Sequence, residues 1–230
     1  MGDKSELIPA ASVVLVRDGE NGIEVLMVRR SDDLRNFRGM WVFPGGRIDV
    51  EDYAGQDDVE VAAVNAAIRE TAEEASMAID GQHLIPLSRW TAPEGAPKRF
   101  DTWFFVGVIE EEQDVVVDGG EIMEHRWVPP SQVLQEQAAG ELKMMPPTFV
   151  SLEAVNAYPD CDSLAAGMRE DAAFHYTPKV SAVGEALHFL YRGDAGFEAC
   201  DATIEGPRHR CIMDGDEMMD GKRLSYICEI

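Results

Sequence analysis

The stretch Glu60-Val61-Ala62-Ala63-Val64-Asn65-Ala66-Ala67-Ile68-Arg69-Glu70-Thr71-Ala72-Glu73-Glu74-Ala75-Ser76-Met77-Ala78-Ile79 decides how the rest of the chain is read. Val61, Val64, Ile68, Ala72, Ala75 and Ile79 recur at spacings of three and four, the period of a helix. At about 100° per residue these six fall within an arc of about 80°, which predicts a buried face. Glu70, Glu73 and Glu74 occupy offsets 0, +3 and +4, within about 100° and nearly opposite that stripe, so three carboxylates share one patch. Like charges at these spacings destabilise a helix by about a few tenths of a kcal/mol per pair. One reading is a solvated acidic face. The other is a hard divalent cation, because Mg²⁺ and Mn²⁺ favour carboxylate oxygens and keep positions open for water and phosphate.

Upstream, Ala11 to Arg17 and Ile23 to Arg29 are β-branched runs around Asp18-Gly19-Glu20-Asn21-Gly22, which predicts a hairpin with a turn tolerant of positive φ. Between Arg29 and Arg47 five arginines (29, 30, 35, 38 and 47) meet only Asp32 and Asp33, a basic island in an acidic chain. Trp41-Val42-Phe43 predicts a short strand that Pro44-Gly45-Gly46 ends, since proline cannot donate to a ladder and two glycines let backbone approach something closely. Downstream, Leu84 to Trp90, Asp101 to Ile109 and His125 to Val128 read as strands, and Pro130-Ser131 as a helix start. Thr148 is expected to cap a helix running to about Tyr158, with a second from Ser163 to about Asp171. Ala186 to Tyr191, His209 to Met213 and Leu224 to Glu229 complete the strands.

The spacing around the helix resembles the signature of the Nudix hydrolases: Gly45, then Glu51, then Arg69-Glu70, Thr71, Glu73-Glu74, Ser76 and Met77. Residues 52 to 68 stand where the family has seven, so an acidic insertion at about 52–60 is expected to loop out before the helix. Ser76 replaces the usual glycine, which costs on the order of 1 kcal/mol if the position needs positive φ. The resemblance implies an α/β fold, a Nudix-type α/β/α sandwich around a mixed β-sheet, in residues 1–149, with a C-terminal α+β extension in 150–230 packed on the same domain. It implies that Glu70, Glu73, Glu74 and the Gly45 carbonyl hold Mg²⁺ or Mn²⁺, and that Arg69 pairs with Glu51 and orients the helix. Glu74 and Arg69 are thereby catalytic candidates. Glu121, six residues before Trp127, is the candidate general base, with Glu124 second.

Arg30-Ser31, Arg35, Gly39 and Phe43-Pro44-Gly45-Gly46 follow the spacing of a motif found in the coenzyme A diphosphatases of that family, although Leu26-Met27-Val28 keeps only part of its Leu-Leu-Thr start. Pro97 to Phe105 and Met145-Pro146-Pro147-Thr148 are similar to segments of its peroxisomal-type branch. Arg30, Arg35, Arg47 and Arg99 are the substrate-binding candidates, with Arg38 and Lys98 beside them, because an arginine fork binds phosphate by paired, charge-assisted bonds. The expected substrate is a small nucleotide-containing diphosphate, coenzyme A or acyl-CoA preferred. NADH, ADP-ribose or a damaged nucleotide is the alternative, and a non-catalytic nucleotide-sensing module is a third reading. Dimers are common in the family, so a homodimer is expected by analogy alone.

Composition sets the outer bounds. At 230 residues the chain suits one large domain with additions, at about 150 residues per domain. Hydrophobic residues at 45% and charged at 27% exclude disorder and coiled coil. A formal charge of −23 argues against a nucleic-acid or anionic-membrane partner. Cys161, Cys200, Cys211 and Cys228 show no metal or redox spacing and read as buried thiols of a reducing cytoplasm. The five histidines show no ligand spacing.

Overall fold

The computed structural model describes residues 6–34, 36–111, 113–170, 172–214 and 222–230. β1 (Leu7–Gly19) and β2 (Gly22–Arg30) form the hairpin, with Gly19 opposite Gly22 and a two-residue turn of Glu20 and Asn21. The two strands pair only between Val16 and Gly19 of β1 and then splay apart. The chain from 41 to 47 fills the wedge: β3 (Trp41–Val42) pairs with Val28 and Arg29 of β2, and β4 (Gly45–Arg47) pairs with Ala10 to Ser12 of β1. β6 (Arg99–Val108) runs parallel to β1, β5 (Ile85–Thr91) pairs antiparallel with β6, and β7 (Ile122–Val128) lies along β2. With β8 (Phe174–Tyr176) added beside β5, the order is β3-β2-β1-β6-β5-β8, a mixed sheet.

One face of this sheet carries α1 (Val59–Ala75), and the other carries α2 (Pro130–Ala139), α3 (Pro146–Asn156) and α4 (Cys161–Glu170). The fold is therefore α/β, a mixed sheet with four α-helices among the described residues. α1 turns a different side to the sheet from the one its hydropathy predicts. Ala62, Ala63, Ala66, Ala67, Thr71, Glu74 and Ala75 are buried, whereas Val61, Val64 and Ile68 are only half-buried along its flank and Ala72 is exposed. Small side chains let the helix axis approach Ala11 and Val13 closely, so steric fit rather than hydrophobicity selects the face. The helix ends at Ala75, not Ile79. It begins with Asp58, whose carboxylate accepts from the Glu60 and Val61 N–H groups. Of the acidic segment expected to loop out, 54–58 are exposed but Asp52 is buried in a 3₁₀ turn (Val50–Tyr53) and Glu60 is helical.

Thr148 is not a cap: α3 starts two residues earlier, with prolines in its first turn, and buries Thr148. A second, antiparallel sheet, β9 (Lys179–Val183), β10 (Ala186–Leu190), β11 (His209–Asp214) and β12 (Arg223–Cys228), follows in the order β12-β11-β10-β9. Tyr191, Cys211, Met213 and Leu224 of this region share one apolar core with Val14, Met27, Phe104 and Leu152. Gln137 of α2, fully buried, donates to the Lys222 carbonyl at 2.9 Å and accepts from the Leu224 N–H at 3.0 Å, fastening β12 to α2. All four cysteines are free; Cys161 and Cys211 are buried as expected, while Cys200 and Cys228 are exposed.

Candidate active site

The splay of β1 and β2 exposes backbone that a continuous ladder would occupy. The Pro44 carbonyl accepts from both the Val13 N–H and the Ser12 hydroxyl, each at 3.0 Å, which pins the turn into Gly45. A Cβ on Gly45 would lie 2.4 Å from the Ala11 carbonyl oxygen, and one on Gly46 would lie 2.3 Å from Glu70 Oε1. Gly45 is thus required by close approach to a strand, whereas a side chain at 46 would have to displace the Glu70 carboxylate of α1.

Glu74 is 5% exposed and accepts from the Gly45 N–H at 2.9 Å. Burial pushes its carboxyl up to about 8; the Gly45 N–H and Arg30 oppose this, while Glu70 and Glu121 add to it. Glu70, partly buried, is likewise held above its ordinary value, by burial against the pull of Arg69. Glu73 is exposed and reaches Arg69 at 3.3 Å. Among the described residues, no three His, Cys, Asp or Glu side chains stand close enough to grip one ion as they are. The carboxylates expected to converge are held apart by two donors: Glu70 and Glu73 share Arg69 Nη1, while Glu74 takes the Gly45 N–H.

Arg69 does not pair with Glu51, which is exposed. Its Nε and Nη2 donate to the two oxygens of Asp52 at 3.1 and 2.8 Å, Nη2 also to the Arg47 carbonyl at 2.9 Å, and Nη1 to Glu70 at 2.8 Å. The 3₁₀ turn explains the one-residue shift. Asp49 and Asp52 cap each other's N–H groups across it, and Asn65 of α1 donates to the Asp52 carbonyl at 2.7 Å, so Asp52 faces the helix and Glu51 faces solvent. Burial raises the Asp52 carboxyl, but the Arg69 fork and the Asp49 N–H outweigh it and hold the group below its ordinary value. Sequence spacing alone does not choose between two adjacent acids; the capping pair Asp49 and Asp52, three residues apart, was the available signal.

Glu121 precedes β7 and ion-pairs with Arg30, whose side chain is 15% exposed; both charges act on Glu74. Arg30 Nε is buried without a partner. Glu124 lies farther along β7 and pairs with Arg29 at 2.9 Å instead. Arg47 is exposed beside Gly46 on β4. Arg99 heads β6, on the opposite side of β1 from β4, and donates to the Ala92 carbonyl at 3.2 Å. Arg35 lies outside the described residues.

The residues that meet here are therefore Arg30, Gly45, Gly46, Arg69, Glu70, Glu74 and Glu121, with Glu73 at the rim. Their donor chemistry fits a hard divalent cation: oxygen ligands only, and more buried carboxylate than Arg30 and Arg69 neutralise. The glycine at 46 leaves the space against Glu70 that a side chain would fill.

Comparison with known proteins bears on the family and the fold. A Caenorhabditis elegans protein named as a nudix hydrolase is 24% identical over 184 residues, 66% of this chain, and the chain spans 62% of that relative's length. The crystal structure of a NUDIX hydrolase from Alicyclobacillus acidocaldarius superposes with a TM-score of 0.66 at 28% identity, covering 70% of this chain and 96% of that one. The NUDIX domain of Shewanella oneidensis NrtR, solved with ADP-ribose, shares the fold at a TM-score of 0.51 and 18% identity, over 73% of this chain and 90% of that one. The sequence description of the NUDIX domain matches residues 6–147, the segment that holds the wedge, α1 and the Glu121 turn. With more than half its length matched, this chain belongs to the NUDIX domain family.

Proposed function

We propose that the protein is a Mg²⁺- or Mn²⁺-dependent pyrophosphohydrolase that cleaves the diphosphate of a nucleoside diphosphate linked to another moiety, with coenzyme A or an acyl-CoA preferred. What carries the reading is the meeting of Glu70 and Glu74 with the Gly45-Gly46 backbone, beside Arg30 and Glu121, in a chain of the NUDIX family. Glu70, Glu73, Glu74 and the Gly45 carbonyl would hold the cation, which when bound polarises a phosphoanhydride and lowers the pKa of water.

The chain's own residues do the rest. Arg69 ties α1 to the 3₁₀ turn through Asp52 and to β4 through the Arg47 carbonyl, so the carboxylates are presented from a fixed helix. Arg30 offers a guanidinium whose Nε lacks an acceptor, which suits a phosphate oxygen. Glu121 is the group to take a proton from the attacking water at its carboxylate oxygen; it shares the site with Glu74, whereas Glu124 is bound to Arg29 on the next stretch of β7. Arg47, beside Gly46, is a further phosphate contact in this reading; Arg99, across β1 from β4, could reach only a distant part of an extended substrate. Preference for coenzyme A rests on the spacing from Arg30 to Gly46, and hydrolysis would then give 3′,5′-ADP and a phosphopantetheine. Free exposed thiols at Cys200 and Cys228 support a reducing, cytoplasmic setting; a homodimer is carried over from the family by analogy.

A turnover screen of coenzyme A, acyl-CoA, NADH, ADP-ribose and nucleoside triphosphates, with each metal and with the phosphomonoester products resolved by chromatography, tests the proposal. Coenzyme A turned over fastest is the expected result; binding without turnover of anything would make the protein a sensor instead. Arg30→Ala should raise KM for coenzyme A far more than for ADP-ribose. Glu121→Gln should lower kcat, and an unchanged kcat at every pH would remove Glu121 as the base.

A further inference from the structure

Ser76 stands where α1 ends, with φ of 56°, a left-handed conformation that favours glycine. A serine held there is expensive unless its side chain returns something, and here its hydroxyl donates to the Val116 carbonyl at 3.0 Å. The next bonds run between the same two segments: the Val116 N–H donates to the Ala75 carbonyl at 3.0 Å, and the Gln113 amide both accepts from the Ala78 N–H and donates to the Ala78 carbonyl. The loop fastened in this way leads into a turn organised by Asp118. Its carboxylate accepts from the N–H groups of Gly120, Glu121 and Ile122, the latter two at 2.8 Å. The Glu121 carbonyl is held in turn by the Ser31 N–H at 2.8 Å, and Ile122 is fully buried under α1.

We propose that Ser76 and Asp118 are positioning residues for Glu121: the serine tethers the 113–121 loop to the end of α1, and the aspartate sets the turn that aims the glutamate. The inference rests on the hydrolase reading above. The helix that carries Glu70 and Glu74 and the loop that carries Glu121 are then joined directly, in addition to their connection through β2.

Ser76→Gly separates this role from simple helix termination. Glycine relieves the left-handed backbone, so a mere cap would be as stable and as active as before. The tether predicts an unchanged or raised Tm, kcat lower by about tenfold with KM within about twofold, and rescue by Ser76→Asn, which tolerates the left-handed backbone and keeps a side-chain donor. Amide exchange at Val116 to Ile122, read in the same variant, should accelerate by about fivefold, the factor set by one hydrogen bond. Asp118→Asn, which keeps an acceptor oxygen, should lose less kcat than Asp118→Ala, and Gln113→Ala should reproduce the effect of Ser76→Gly. Unchanged exchange in Ser76→Gly, or faster exchange with unchanged kcat, overturns the proposal. Wild-type protein inactive on every substrate would defeat the hydrolase reading, while exchange alone would still decide the tether.

Discussion

Gly46 shows how tightly the site is built at the scale of one residue. Its missing side chain is the space that Glu70 occupies, since an added Cβ would stand 2.3 Å from Oε1. Gly46→Ala should therefore displace a carboxylate without opening the core: kcat for diphosphate hydrolysis falls by at least about tenfold while Tm moves by a few degrees only. Steady-state kinetics with thermal unfolding checks this, and a fully active Gly46→Ala protein would show that Glu70 is not held where the reaction needs it. The two glycines were legible in the sequence as places of close approach; which atom each would meet was not, because that depends on β1 and α1 arriving from distant parts of the chain.

At the scale of the element, α1 is fixed by Arg69 gripping Asp52 across the 3₁₀ turn. Asp52→Ala leaves the guanidinium without its paired acceptor and an Asp49 N–H uncapped, so a loss of about 1–3 kcal/mol is expected in denaturant unfolding, together with a lower kcat. Glu51→Gln, exposed and one residue away, should change neither. The reverse pattern would return the role to Glu51. The sequence announced α1, its carboxylates and its Arg69 through period and spacing, but it misassigned the buried face. Hydropathy weighs Val61, Val64 and Ile68 above alanine, whereas close packing on β1 and β4 admits the alanines first. It also placed Arg69 opposite the wrong acid, since capping within a short turn, not distance along the chain, decides which of two neighbours turns inward.

Across the whole molecule, the second sheet is locked by a buried ion pair that sequence periodicity does not reveal. Arg210 donates to both oxygens of Asp194 at 2.6 Å, and the same carboxylate accepts from the His209 and Gly196 N–H groups. Burial raises the Asp194 carboxyl, but these donors outweigh it and hold the group below its ordinary value. A carboxyl lowered in the native state contributes stability that is present above its unfolded pKa of about 3.9 and is lost as pH falls through the native value. Asp194→Asn should lower stability by about 3–5 kcal/mol at pH 7 and flatten the acid side of the stability profile. An unaltered slope below pH 4 would assign that dependence to other acids. Strands after Pro178 were readable as short runs between Gly/Asp-rich turns, yet β8 escaped notice, being three residues whose partner, β5, lies far back in the chain.

Binding of a divalent cation by the carboxylates of α1 is what phosphoanhydride cleavage here requires. Its most direct measurement is the rate of hydrolysis of coenzyme A and ADP-ribose by wild-type and Glu74→Gln protein at saturating Mn²⁺. Metal-dependent turnover by the wild type and a loss of at least about a hundredfold in the variant are expected. Equal turnover by both proteins would contradict it.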